Sequence, residues 1–350
     1  MTIRLLIVGT GGMAGNHATE FAKIPGVELV AGVDTRPAQL QAFRVQHNIP
    51  HGFASVEEAI NWGQFDAVTN VTPDPVHYPT TLPLLAAGKH VLCEKPLATS
   101  AAHAAEMADA AQKAGVINMV NLTYRNVAAM QLAAIMVREG AIGTVRHFEA
   151  SYLQSWLTQP AWGAWNEQSQ WLWRLSTAHG SKGVLGDVGI HILDFATFVA
   201  GQDVVQMSCQ LATFDKAPGG VIGEYVLDAN DSATMQVRLA NGALGTVGAT
   251  RFASGHLNDL RLGIFGDKGG LEVKFENGIS SLRACLEPDL QTGLWQDVAA
   301  PVLPSVYQRF IAAIQGMGVA EPTFARGAAL QRLLDQAEAS AAQGGLSLRV

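Results

Sequence analysis

Lys95, Asp187 and His191 are the side chains whose types and spacing best suit bond-making chemistry. Lys95 lies in Glu94-Lys95-Pro96, directly after the short apolar run His90–Cys93, and Asp187 and His191 are four residues apart in a glycine-rich segment. A secondary alcohol releases a hydride only as its hydroxyl proton is taken, so such a reaction needs a general base and a donor for the developing alkoxide. An ammonium at Lys95 can hold the alcohol oxygen; the plain alternative is a surface lysine after a strand, against which Pro96 argues by fixing the local backbone. His191 serves as the acid/base, with Asp187 as its partner or as a ligand of a substrate hydroxyl. Which of His191 and Lys95 takes the proton stays open at the level of sequence.

At about 100° per residue, Asp187, His191 and Asp194 fall within about 60° of one another on a helix over 186–200. Val188, Ile192, Phe195 and Val199 form the neighbouring stripe, and Ile190, Leu193 and Phe198 are apolar too. A helix apolar nearly all round is buried, so Asp187, His191 and Asp194 are expected to face an internal cleft. The plain alternative is an Asp–His hydrogen bond that buttresses a core. Gly180, Gly183, Gly186 and Gly189 at the helix entry allow a ligand to approach closely and favour the cleft, with Asp194 structural.

A second group is built for phosphate. Gly9-Thr10-Gly11-Gly12-Met13-Ala14 fits G-x-G-x-x-G/A after the apolar run Ile3–Val8. Gly9 permits the tight turn, Gly11 lets the backbone approach a pyrophosphate, and the peptide N–H groups around Gly12 and Met13 open a helix. Asp34 ends the next strand, where its carboxylate can accept from both adenosine ribose hydroxyls and so favours NAD; Arg36 could instead pair with a 2′-phosphate and leaves NADP open. Tyr124 and Arg125 follow the last strand of this part and are expected at the domain interface, facing the substrate near the nicotinamide; Arg125 could equally make an interdomain ion pair. Trp156, Trp162, Trp165, Trp171 and Trp173 crowd one segment, either to stack on sugar rings or to form a hydrophobic plug or oligomer contact. Trp173 and Arg174, nearest Asp187 in the chain, are the expected pocket members.

The elements that must hold these groups follow from hydrophobic rhythm. Residues 1–122 alternate apolar strands with amphipathic helices, which predicts a doubly wound parallel sheet of Rossmann type. From residue 123 to 350 the rhythm changes to long alternating strands with hairpin signals, of which Asn241-Gly242 is the strongest. That pattern predicts an α/β domain with a large open mixed or antiparallel sheet.

The chain has 350 residues, 48% hydrophobic and 15% charged, with a formal net charge of −7. No basic surface points to nucleic acid or to a membrane. Cys93, Cys209 and Cys285 have no metal or disulfide spacing and read as free thiols of a cytoplasmic protein. The ten histidines show no zinc spacing, so no metal is expected.

With these residues in hand, the chain resembles the glucose–fructose oxidoreductase / inositol dehydrogenase / rhizopine-catabolism family, written Gfo/Idh/MocA. The likeness runs from Gly9-x-Gly11-x-x-Ala14-x-x-His17 through Thr72-Pro73 with His77, then Ala87 to Pro96 including Glu94-Lys95-Pro96. It continues through Tyr124-Arg125, Glu139-Gly140-x-Ile142-Gly143 and Gly186-Asp187-x-Gly189-x-His191-x-x-Asp194. The resemblance implies a Rossmann domain plus an open-sheet domain that forms a homodimer or homotetramer. It implies NAD(P)-linked oxidation or reduction of a sugar, anhydrosugar, polyol or inositol, with Thr72, His77 and Glu94 on the cofactor side. A relative that keeps its NAD and cleaves glycosides, and a non-catalytic dinucleotide sensor, are the alternatives.

Overall fold

The computed structural model describes residues 2–160 and 162–350, which divide into two compact units. The first comprises residues up to Thr123 together with Pro304–Gln331, and the second Tyr124–Leu303 with Arg332–Val350.

The first unit is a doubly wound sheet. Its strands are β1 (Ile3–Val8), β2 (Val27–Val33), β3 (His51–Phe53), β4 (Ala67–Asn70), β5 (His90–Cys93) and β6 (Asn118–Val120). They lie in the order β3-β2-β1-β4-β5-β6, and every neighbouring pair is parallel. Helices α1 (Gly12–Ala22), α2 (Pro37–His47), α3 (Val56–Trp62), α4 (Asp74–Ala86) and α5 (Ala101–Ala114) make the crossovers. The order reverses between β1 and β4, so the carboxyl ends of these two strands flank the crevice in which such sheets bind ligands. β1 and β4 are buried along nearly their whole length, as parallel strands covered on both faces must be.

Residues 304–331 return to this first unit, although the change of rhythm near residue 123 predicts one undivided second domain. The reason is apolar burial. The helix Val306–Ile314 lays Val306, Tyr307, Phe310 and Ile311 against Ile3, Leu5, Phe21, Leu92 and Met119, and covers one face of the sheet. Behind it, Val120 N–H donates to the Pro322 carbonyl at 2.9 Å, and Phe324 N–H to the Asn118 side-chain oxygen at 2.8 Å. No linker composition announces this return.

The second unit contains α6 (Ala128–Arg138), β7 (Val145–Gln154), the short α7 (Ser169–Leu172) and α8 (Ile190–Ala200). Strands β8 (Val204–Ala212), β9 (Val221–Ile222), β10 (Tyr225–Val226), β11 (Ser232–Leu239) and β12 (Leu244–Thr250) follow. Then come β13 (Asn258–Gly266), β14 (Gly269–Glu276), β15 (Ile279–Leu286), β16 (Gln296–Asp297) and β17 (Leu348–Arg349). Nine of these strands form a mixed sheet in the order β16-β15-β14-β13-β7-β12-β11-β8-β17, antiparallel except for the β7–β12 pair. The Asn241-Gly242 turn joins β11 to β12 as expected. Burial alternates along β11 and β12, which gives the sheet one core face and one open face. Helices α6 and α8 pack on the core face.

If the return of residues 304–331 holds the first unit together, Phe310→Ala should lower the free energy of unfolding by about 3–5 kcal/mol. Met317→Ala, at a side chain that is 72% exposed, should leave it within about 0.5 kcal/mol. Denaturant unfolding of the full chain measures both.

Candidate active site

In the first unit the turn after β1 follows from one steric demand. Gly9 has φ +86°, and a Cβ there would stand 2.7 Å from the Val71 carbonyl oxygen. By contrast, Gly11 and Gly12 have nothing within 4 Å of where a Cβ would project. Helix α1 starts with Gly11 as its N-cap and no side chain accepts from its first turn, whose N–H groups near Gly12 and Met13 are left for an outside partner. An open cradle at an uncapped helix start fits a pyrophosphate.

Asp34 stands beside this cradle. Its carboxylate accepts from Thr10 N–H at 3.0 Å and Thr10 Oγ1 at 2.7 Å, and from Arg36 Nε and Nη2 at 3.0 Å each. Burial alone would raise its pKa, but the bonds from Arg36 and Thr10 outweigh that and hold it well below the usual carboxylate range. Arg36, offered by the sequence as a partner for a 2′-phosphate, is instead engaged two-pronged on Asp34.

The ends of β4 and β5 are braced from below. Asn70 Oδ1 accepts from Thr72 N–H at 3.2 Å and Thr72 Oγ1 at 2.8 Å, which shapes the turn into α4. His77, expected on the cofactor side, is only 1% exposed, and both ring nitrogens bond to backbone, at Thr72 and at Pro96. Its influence on a ligand therefore passes through the chain. Glu94 is buried too. Its Oε1 lies 2.8 Å from His17 Nε2 and accepts from Asn121 Nδ2 at 2.6 Å, while Oε2 accepts from the N–H of Lys95 at 3.1 Å. His17 Nδ1 reaches Thr69 Oγ1 at 2.7 Å, and Tyr307 OH accepts from Asn121 at 3.3 Å. Burial would raise the Glu94 carboxyl, but the bond and charge of His17 and the Asn121 amide prevail and bring it down to about 2. This network fixes the backbone at Lys95, which is half-buried at the end of β5.

In the second unit the segment expected as one regular helix begins as a π-helical turn, Leu185–Gly189, before α8. A Cβ at Gly186 would lie 2.3 Å from that of Lys182, so the tight entry excludes a side chain there. A π turn holds more residues than an α turn, so the even wheel does not describe Asp187. Asp187 Oδ2 accepts from Arg251 Nη2 at 3.1 Å and lies 3.9 Å from Arg174 Nε. Arg251, fully buried after β12, is thus a partner of Asp187 that the expected Asp187–His191 pairing does not include. Its guanidinium also donates to the Arg174 carbonyl at 3.1 Å and faces the Trp156 ring at 4.9 Å.

His191 is buried and meets the Tyr124 ring edge-on, with centroids 4.9 Å apart. The Tyr124 hydroxyl bonds the Tyr152 hydroxyl, Tyr152 donates to Asn258 Oδ1, and Asn258 Nδ2 returns a bond to Tyr124 at 2.6 Å. This closed ring sets the direction of both hydroxyl protons. Burial raises the Tyr124 pKa. Arg125 donates through Nε and Nη2 to Asp194 at 2.6 and 2.8 Å and lies 3.5 Å over the Phe198 ring, all within this unit. Arg125 was expected to face a substrate or to pair between domains. The buried pair with Asp194 instead ties the chain after Thr123 to α8.

The tryptophans divide. Trp156, with Trp162, Trp165 and Trp171 against it, joins Leu157, Leu172, Leu175 and Leu227 in a core cluster, the plug of the two readings. Trp173 lies outside that cluster with the Arg174 guanidinium 4.6 Å over its ring. Sequence reasoning did not single out Asn121, Tyr152, Arg251, Asn258 or Tyr307. His17 was present only as part of a motif.

Residues 3–122 match the GFO/IDH/MocA oxidoreductase family, described as an NAD-binding Rossmann fold, and residues 130–272 match the C-terminal domain of the same family. The chain is 31% identical over 218 residues to levoglucosan dehydrogenase of Pseudarthrobacter phenanthrenivorans, covering 59% of this chain and 54% of that protein. It is 30% identical over 251 residues to D-glucoside 3-dehydrogenase of Escherichia coli, covering 69% and 68% respectively. The chain thus spans about half the length of the first of these relatives and about two thirds of the second. Among solved structures, an oxidoreductase domain protein from Kribbella flavida superposes with a TM-score of 0.88 at 30% identity, covering 100% of both chains.

The Glu94 network has a signature in acid. A carboxyl lowered to about 2 from an ordinary 4.5 contributes stability that is fully present above pH 4.5 and is lost as pH falls towards 2. Urea unfolding of wild type and Glu94→Gln between pH 6 and 3 should show a difference that shrinks with acid, by on the order of 3 kcal/mol if complete. A difference constant over that range would contradict the assignment.

Proposed function

The chain belongs to the GFO/IDH/MocA oxidoreductase family, and from that premise we propose that it moves a hydride between NAD and a secondary alcohol or ketone of a small carbohydrate. The substrate class is a sugar, anhydrosugar, polyol or inositol. The observation that carries the proposal is the polar cluster of the second unit. Asp187 is paired with buried Arg251, and His191 is set against Tyr124 on a largely apolar helix. The relatives named for levoglucosan and for D-glucosides support the same class.

NAD, when bound, supplies the hydride acceptor or donor, and everything else falls to side chains. Gly9, Gly11, Gly12 and Met13 offer the cradle for its phosphates. Asp34, ionised between Thr10 and Arg36, favours a ribose 2′-hydroxyl over a 2′-phosphate. Thr72, His77 and Glu94 shape the backbone around Lys95. We assign Lys95 to the substrate oxygen and His191 to proton exchange with the hydroxyl. Asp187 then accepts from a neighbouring hydroxyl with the direction set by Arg251, and Trp173, Arg174 and Tyr124 line the sugar. Arg125 positions α8 through Asp194. The open face of the nine-stranded sheet, with Ser151, Ser208, Thr234 and Gln236, is the surface for a homodimer or homotetramer. Three buried free cysteines support a reducing, cytoplasmic setting.

A panel of anhydrosugars, glucosides, polyols and inositols with NAD tests the proposal by absorbance of the reduced cofactor. At least one member should turn over, and Lys95→Ala and His191→Ala should each lower kcat about 10²–10⁴-fold. The variant whose kcat/KM profile loses its acidic limb identifies the base. Aglycone release without net reduced cofactor, or no turnover despite intact NAD binding, would overturn it.

A further inference from the structure

His77 is a buried titratable group whose surroundings decide its charge by geometry. It lies in the first turn of α4, with Nδ1 2.7 Å from the Pro96 carbonyl oxygen and Nε2 2.8 Å from the Thr72 carbonyl oxygen. A carbonyl oxygen can only accept. A neutral imidazole carries one N–H, so it could serve only one of the two and would turn a nitrogen lone pair onto the other oxygen. In a site only 1% exposed, no water relieves such a contact. Both bonds are satisfied together only when the ring is doubly protonated.

We propose that His77 is held as an imidazolium whose two N–H groups staple the turn after β4 to the segment after β5, and thereby position the backbone that holds NAD. The inference rests on the reading that this unit binds NAD through those two segments. Its reach comes from what the two carbonyls belong to. Thr72 is the turn already shaped by Asn70, and Pro96 follows Lys95 directly. One ring therefore ties the end of β4 to the end of β5 on the ligand side of the sheet. His77 touches no reacting atom and is a positioning residue.

The charged and titratable groups facing the ring agree with a cation. Burial by itself disfavours the charged form. The Cys93 sulfur at the end of β5, the Asp74 carboxylate in the same helical turn and the Pro96 carbonyl oppose it, and together bring the ring up to about 9. The bonds therefore stabilise the fold fully below pH 6.5, the ordinary value, and their contribution is lost as pH rises towards 9. The charge-assisted pair is stronger than two neutral bonds would be.

The test is the protonation state of one ring and its effect on cofactor affinity in the full-length protein. In protein labelled with ¹⁵N-histidine, the His77 ring should show both nitrogens protonated at pH 8, assigned as the signals missing from His77→Asn or His77→Gln. Glutamine and asparagine carry both N–H donors on a single nitrogen and so do not reproduce a donor at each of the two ring positions. His77→Gln should weaken NAD binding about tenfold, the equivalent of one charge-assisted hydrogen bond, with a smaller change in kcat. Wild-type NAD affinity should fall as pH rises through 9, whereas that of the variant should not follow it. A His77 ring with one unprotonated nitrogen at pH 8, or a variant that binds NAD as tightly as wild type, would overturn the proposal. If neither variant folds, the wild-type spectrum still decides, because the absence of any doubly protonated ring at pH 8 overturns it. Wild type that binds no NAD at all would sink the cofactor reading separately, without altering what the spectrum says of His77.

Discussion

A charge taken out of water must be paired, and at four carboxylates of the candidate site this demand determines where the side chain sits. Asp34 is held between Thr10 and Arg36, Glu94 between His17, Asn121 and the Lys95 N–H, Asp187 on Arg251 and Asp194 on Arg125. None of these carboxylates is placed by its own element alone. Each is fixed by a partner brought in from another strand, turn or helix. The ligand-binding geometry of each unit is therefore a by-product of satisfying buried charge, and the apolar core serves to bring the partners within reach. The return of Tyr307 onto the first unit illustrates this. It caps the Asn121–Glu94 network with its hydroxyl while its ring packs on Phe21 with centroids 5.2 Å apart.

The same demand explains what could be read from the sequence. Local features were legible because their physics is local. The Gly9 turn and the Asn241-Gly242 hairpin each depend on a few consecutive residues. The alternating strands of the second unit and the buried, apolar α8 were legible from periodicity. Charge partners were not. Asp187 and Arg251 are 64 positions apart, and Glu94 and His17 are 77 apart. Each partner is unremarkable in its own neighbourhood: an arginine after a strand, a histidine in a helix.

Two departures have a more specific cause. The π turn at Leu185–Gly189 breaks the even spacing on which a helical wheel rests, so the wheel does not give the direction of Asp187. The segment 304–331 carries an ordinary amphipathic helix, and nothing in its composition says which sheet its apolar face covers. The contacts of Tyr307 and Phe310 with Phe21 reveal it. The tryptophans show the limit of residue type as a guide to function. Four of the five join one core cluster, and Trp173 with Arg174 is left as the pair suited to a sugar.

In the proposed reaction a carbon-bound hydrogen of a carbohydrate passes directly to the cofactor. The measurement that meets it most directly is mass spectrometry of the cofactor recovered after incubating the protein with NAD and a C-perdeuterated carbohydrate of the proposed class. The account predicts reduced cofactor one mass unit heavier, with deuterium at C4 of the nicotinamide. Reduced cofactor without the label, or carbohydrate converted while the cofactor never carries it, would contradict the account.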